Sequence, residues 1–392
     1  MSSISVKLPP LDGFRIVDFS TMIAGPFGAS ILADYGADVI KVEPRDSCDL
    51  MRFVGSQKNG MSGIFALNNK GKRAIAINAK STKGREIVHK LVGTADVLIH
   101  NHRHDVMESF GLGYDQLRET FPHLIYVHVV GYGNTGLLRN HKAYDNMIQA
   151  VTGMGYAQNH PPEVVHQLVC DKLTGHVIAQ SVVAALLARA RGMAQGQKIS
   201  ISMLDVASQF IWQDLGMDAA LLDDDAVRSP TIDSYYRTVT LKDGYCAVTP
   251  ASDEEFATWM NVLRIPHLLN DERFSSIGAR FNNAPALIAI TDEAARYITV
   301  AEVERAIMEK SLPAAIFRTV TDLPSHSQVQ ENGVFCVRNH PVAGNIREAR
   351  QAPLFSETPL VMSSHAPMHG EHTAELLDSL GYWAKALEEI TK

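Results

Sequence analysis

The stretch LVCDKLTGH, residues 168–176, sets a thiol beside a carboxylate, Cys170 beside Asp171. Each would define a different enzyme class. A catalytic thiol needs a histidine base and a positively biased pocket. His166 and His176 are near in sequence, but an ionised Asp171 close to the sulfur would raise the thiol pKa rather than lower it. The pattern therefore casts Cys170 as a small buried filler. Asp171 stands at or near the start of a long apolar helix that includes VIAQSVVAALLARA. An aspartate there can cap the helix, worth ~1 kcal/mol. It can also attack an activated acyl group. With a thioester as partner, the resulting anhydride keeps the energy of the bond and lets the acyl group be passed on. The residues alone leave both roles open.

Three other motifs point to less. GYGNTG (131–136) matches the GxGxxG spacing and follows a strand. A dinucleotide fingerprint must also open a helix and be followed by an acid about 20 residues on. Here LLRNHKAYD reads as a loop, and YAQNHPPE offers no strand-terminal acid. HNHRHD (100–105) has alternating histidines that could suit zinc. No partner cluster is evident, so it reads as a solvated loop at the ligand edge of a sheet, with Arg103 as a phosphate contact. AGPFG, at the start of a helix, could cradle a phosphate or allow close packing.

The elements that must position these residues follow from periodicity. FRIVDFS (14–20), ADVIKVE (37–43), AIAIN (74–78), DVLIHN (96–101) and HLIYVHVVGYG (123–133) are strand-like and nearly all apolar. Helical stretches separate several of them, notably AGPFGASILADYG and TKGREIVHKLVGTA. This alternation predicts an α/β fold with a parallel sheet covered by helices, whose ligands bind beyond the carboxyl ends of the strands. After residue 144 the pattern turns helical, and QKISISMLDVASQF reads as a strand followed by a helix. The polar, turn-rich DDDAVRSPTIDS (223–234) marks a boundary. Beyond it a smaller α+β unit holds a hairpin around Asp243-Gly244. The expected domains are 1–222 with 326–392, and 223–325.

A net charge of −7 argues against nucleic acid as the main partner. Four widely spaced cysteines with no CxxC pair predict free thiols, not a disulfide framework or a zinc site. The N-terminal residues lack signal-peptide features, and no apolar run reaches the ~18 residues of a membrane span. A cytoplasmic protein with no membrane partner is expected.

The order of the pieces resembles the class III CoA-transferase family, which includes formyl-CoA transferase. The resemblance starts at LDGFRIVDFSTMIAGPFGASILADYGADVIKVE. It runs through NNKGKRAIAINAKSTKGREIVHKL, ADVLIHNHRHDVMESFGLGYDQL, LIYVHVVGYGNTG, AYDNMIQAVTG, CDKLTG and GQKISISMLDV, and returns at NHPVAG and HGEHTAELLDSLG. It implies a Rossmann-like domain built from both chain ends, a smaller inserted α+β domain, and an interlocked homodimer. It implies that Asp171 receives the acyl group, then carries CoA as an aspartyl thioester, then yields CoA to a small carboxylic acid. Tyr144 and Asp145 fall at the family's active-site YD/YE position. Met22, Ile23 and Ala24 align with its CoA-contacting loop. Asn101, Arg45, Lys72, Arg73, Lys80 and Arg103 are the further candidates for holding CoA. No metal and no cofactor beyond CoA are implied. The chain departs from the family at HRHD after Asn101, where an aromatic-x-Pro-Gly is usual, and it lacks the tetraglycine loop of formyl-CoA transferase. The same fold hosts 2-methylacyl-CoA racemases, which exchange an α proton through a His/Asp pair. Tyr144 takes the place of that histidine, and tyrosine, with an unperturbed pKa near 10, is a poor base. His141 is the nearest substitute. A binding scaffold without chemistry is the third reading.

Overall fold

A computed structural model describes residues 7–158, 160–228, 236–360 and 364–382. The described residues fall into two compact units, one within Met1–Gly216 and Gly333–Lys392, the other within Met217–Asn332. The junctions lie a few residues from the boundaries expected at 222/223 and 325/326.

In the larger unit the five apolar runs and the more polar QKISIS form six strands: β1 (Arg15–Asp18), β2 (Asp38–Glu43), β3 (Lys72–Ala76), β4 (Val97–His100), β5 (Ile125–Val130) and β6 (Gln197–Ser202). Their order is β3-β2-β1-β4-β5-β6 and every pairing is parallel. This is the doubly wound order. It reverses between β1 and β4, so a crevice opens there beyond the carboxyl ends of the strands. The helices that matter to that crevice are α1 (Ala24–Asp34), α2 (Thr82–Val92), α3 (His104–Ser109), α4 (Asp145–Val151), α5 (Val169–Ala190) and α6 (Met203–Trp212).

Successive strand side chains point to opposite faces. Ile16, Val39 and Val97 pack with Leu32 of α1 and Ile178, Val182 and Leu186 of α5. Their neighbours Val17, Ile40 and Leu98 pack with Ile87 and Leu91 of α2. Both faces are buried, which is why these strands read as unbroken apolar runs. The chain's last third completes the second face. Leu376 and Leu377, on the helix Thr373–Ser379, join that cluster. The Ala76 amide donates to Thr373 Oγ1 at 3.0 Å. An antiparallel hairpin, Phe335–His340 with Gly344–Ala349, belongs to the same unit.

α5 has a mean hydropathy of 1.4 over its most apolar window, long and apolar enough by composition to cross a membrane. Its buried residues pack on α1 and the sheet. In the smaller unit, Val239–Thr240 and Tyr245–Val248 form the hairpin expected around Asp243-Gly244, and Ala314–Ile316 adds a third antiparallel strand. Phe256, Trp259 and Phe274 fill its core.

Candidate active site

The crevice is a cavity of about 820 Å³ lined by the loop after β1 (Met22, Ala24), the loop after β4 (Asn101, Arg103), the segment after β5, and Asp171. Topology alone puts these loops together. Thr21 and Asn101 then tie the two sides of the switch point: the Thr21 amide donates to Asn101 Oδ1 at 3.0 Å, and Asn101 Nδ2 donates to the Thr21 carbonyl at 2.8 Å.

Asp171 reaches the cavity because two helices touch through glycine. A Cβ on Gly175 would stand 2.6 Å from Phe27 Cδ1 and 3.1 Å from the Ala24 carbonyl oxygen; one on Gly28 would stand 2.8 Å from the Gly175 oxygen. No side chain fits, so α1 and α5 run side by side with their backbones close. Asp171 lies one turn before Gly175, and Ala24 one turn before Gly28. The amide of Ala24, the first residue of α1, therefore faces the Asp171 carboxyl. Helix amino termini carry free N–H groups and partial positive charge.

Asp171 does not cap α5. The helix starts two residues earlier, at Val169, and Leu168 at its cap makes no side-chain bond. The capping acceptor comes from another helix. Asp145, buried at the first turn of α4, accepts the Asp171 N–H on Oδ2 at 2.9 Å, while its Oδ1 accepts from Gln149 Nε2 at 2.6 Å. The capping reading of Asp171 is thus corrected: Asp145 takes the amide and leaves the Asp171 carboxyl to the cavity.

Burial, and then the neighbouring Asp145 carboxylate, push the Asp171 carboxyl up to about 7; the Ala24 amide opposes them. Near neutral pH the group is balanced between acid and carboxylate, a condition suited to both attack and proton exchange. Cys170 is fully buried among Ile148, Met154 and Met203. Burial, then Asp145 and Asp171, push its thiol to about 12. The sulfur is a neutral packing group.

A model of CoA-transferase family III matches residues 11–373. The chain belongs to CoA-transferase family III. A succinate–glutarate CoA-transferase of Agrobacterium fabrum is 30% identical over 97% of this chain and 98% of its own length. A (R)-2-hydroxy-4-methylpentanoate CoA-transferase of Clostridioides difficile is 28% identical over 95% and 96%. A crystal structure of a CaiB/BaiF family protein from Brucella suis, 29% identical, covers 95% of this chain and 100% of its own with a TM-score of 0.84.

The structure sorts the transferase's candidate CoA contacts. Met22, Ala24, Asn101, Arg103 and Tyr144 line the cavity. Ile23 does not: it is buried against Met51, Met61 and Phe65. Lys72 is corrected outright. Its ammonium is fully buried, 2.8 Å from Asp18 Oδ2, and donates to the Pro26 carbonyl and Asn69 Oδ1 at 2.8 Å each. No phosphate reaches it. Arg73 is corrected too. It sits at the amino end of β3, away from the crevice, forked onto Asp38 and Glu375. Arg45 and Lys80 follow the carboxyl ends of β2 and β3 but are not on the cavity wall.

The reading of HNHRHD as a solvated loop fails for two of its histidines. His100 is buried in β4 and stacks on His128 with ring centroids 4.5 Å apart. His102 is half-buried, and burial holds its imidazole below the ordinary range. Among the described residues no group of three or more His, Cys, Asp or Glu side chains is placed to hold a metal ion.

What the sequence reading missed lies beneath the β1 loop. Met22 has a left-handed backbone, φ 70°, which costs a non-glycine residue roughly 1–2 kcal/mol. Its amide donates to Asp49 Oδ1 at 3.2 Å. Asp49 Oδ2 pairs with Lys41 at 2.9 Å, both side chains wholly buried, and Lys41 also donates to the Ser20 carbonyl. Asp18 accepts the Ser20 amide and pairs with Lys72. Burial alone would raise the Asp18 carboxyl, but Lys72 and Lys41 hold it below its usual range. Four buried charges thus clamp the turn that aims Ala24 at Asp171. The isolated lysine inside the apolar strand ADVIKVE was the available signal.

Proposed function

We propose that this transferase moves CoA from an acyl-CoA donor to a carboxylic acid through covalent intermediates on Asp171. A carboxylate oxygen of Asp171 attacks the thioester carbon, the C–S bond breaks, and CoA leaves as thiolate from a mixed anhydride. The thiolate then attacks the aspartyl carbonyl, releasing the donor acid and forming an aspartyl–CoA thioester. The acceptor carboxylate attacks that carbonyl, giving a second anhydride and CoA thiolate. Attack of the thiolate on the acceptor's carbonyl yields the new acyl-CoA and restores Asp171. Every step is an acyl transfer, so CoA is the one cofactor in the scheme and no metal takes part.

The observation that carries this reading is the Asp171 carboxyl at the cavity wall, facing the Ala24 amide at the start of α1. An amide there is suited to stabilise the oxyanion that forms on the aspartyl carbonyl when the thiolate, and later the acceptor carboxylate, attacks it. Met22, Asn101 and Arg103 supply wall and charge for the pantetheine arm and phosphates, and Tyr144 and Asp145 border the nucleophile. Binding energy from the CoA body, remote from the carbonyl, positions the thioester. The α-proton exchange of the racemases lacks support: Tyr144 stands where their base would, and the named relatives are transferases.

The test is trapping. Mixing with succinyl-CoA or acetyl-CoA is expected to leave a hydroxylamine-sensitive adduct on Asp171 by mass spectrometry. Asp171→Ala abolishes adduct and transfer; Cys170→Ala keeps both. Full turnover by Asp171→Ala would end the covalent route.

The family resemblance also supports an interlocked homodimer, with the smaller unit, expected at 223–325, as an inserted domain. Exposed Leu187, Phe210 and Trp212 offer apolar surface on the larger unit for a second copy.

A further inference from the structure

His128 stands near the carboxyl end of β5, in register with His100, the last residue of β4. Both side chains are buried. Their rings stack with planes 14° from parallel, and His100 meets the Tyr126 ring edge-on. Tyr126, two residues before His128 on the same face, belongs to the apolar cluster that packs on α2. A leucine at position 128 would extend that cluster without burying a polar ring. What the imidazole adds is a hydrogen bond.

That bond runs to the turn after β4. His128 Nε2 lies 3.0 Å from the His102 carbonyl oxygen. A carbonyl oxygen only accepts, so Nε2 carries the proton and donates, and the neutral ring is held in one tautomer. The same carbonyl belongs to the peptide that leads into Arg103. Because a peptide is planar, holding its oxygen also sets the direction of the Arg103 amide. On the other side of His102, Asn101 is clasped to Thr21 in both directions. The His102 ring bonds the Phe19 backbone. The turn is thus tied to the loop after β1 by Asn101 and the His102 ring, and to β5 by His128. All three of its residues line the cavity.

We infer that His128 is a positioning residue: through the proton on Nε2 it holds the His102 carbonyl, and with it the 101–103 turn, in the shape that receives CoA. This rests on the reading that the cavity takes CoA.

The experiment compares His128→Leu and His128→Gln with the unaltered protein. Glutamine is chosen because its Nε2 stands as many bonds from Cβ as that of histidine and also donates. Calorimetry reads the binding of CoA. The rate of adduct formation against succinyl-CoA concentration gives a half-saturating concentration and a limiting rate. In His128→Leu the Kd for CoA and the half-saturating concentration should each rise about tenfold, in protein folded by circular dichroism. The limiting rate should change by less than about threefold. His128→Gln should recover most of the loss. An unchanged Kd in His128→Leu, equal weakening in both variants, or a limiting rate that falls as far as the Kd rises would overturn the inference. If His128→Leu does not fold, the unaltered protein decides. Nitrogen-15 spectra of the histidine-labelled protein, with His128 identified by its loss in His128→Gln, should show the ring proton on Nε2; a proton on Nδ1 alone would overturn the tie. CoA binding without an aspartyl adduct would strike the covalent route and leave His128 its role, whereas no binding of CoA by the unaltered protein would remove that role.

Discussion

Asp145 Oδ2 accepts the backbone N–H of Asp171 at 2.9 Å. One carboxylate holds the peptide of another, and the two charges are forced together. Two close carboxylates disfavour joint ionisation, which is the second cause, after burial, of the raised Asp171 carboxyl.

The rate of adduct formation should therefore rise with pH on a limb centred at about 7. Asp145→Asn keeps a carbonyl oxygen for the Asp171 amide and removes the charge. Its limb should move to lower pH, seen in single-turnover rates between pH 5 and 8. An unmoved limb would leave burial as the whole cause.

The same carboxyl weakens the fold. Its folded pKa stands above the unfolded value near 3.9. The folded state holds the proton more tightly, so stability is intact below the unfolded pKa and is lost as pH rises to about 7. Asp171→Asn removes the ionisation. Its Tm should exceed that of the unaltered protein at pH 8, and the gap should shrink at pH 5. An equal gap at both would show that ionisation has no part in it.

Gly175→Ala should separate α1 from α5, because its Cβ meets backbone as well as the Phe27 ring. Overpacking of this kind costs about 1–3 kcal/mol. Aiming the Ala24 amide at Asp171 depends on that contact, so turnover should fall at least about tenfold in protein still folded by circular dichroism. Unchanged turnover would make the glycine contact irrelevant to the site.

Lys72→Ala should act on stability before binding. It leaves Asp18 buried without its nearest cation, a loss of about 3–5 kcal/mol. Urea denaturation would read it. If instead stability held and only the KM for acyl-CoA rose, Lys72 would be a phosphate contact after all.

The alternating apolar runs determined the α/β class, the strands from β1 to β5 and the hairpin at Asp243-Gly244, because burial on both faces writes itself into local composition. LVCDKLTGH likewise exposed its two nucleophiles to view. Choosing between their roles needed residues far away in the chain. Asp145 is 26 positions from Asp171, and Ala24 is farther still; only the doubly wound topology and the glycine contact bring them to one carboxyl. The lysines show the same division. A charge in a strand is visible in sequence, but whether Lys72 faces a ligand or Asp18 depends on what the sheet buries beside it. Electrostatic environment is a property of three-dimensional neighbours, and a one-dimensional spacing does not carry it.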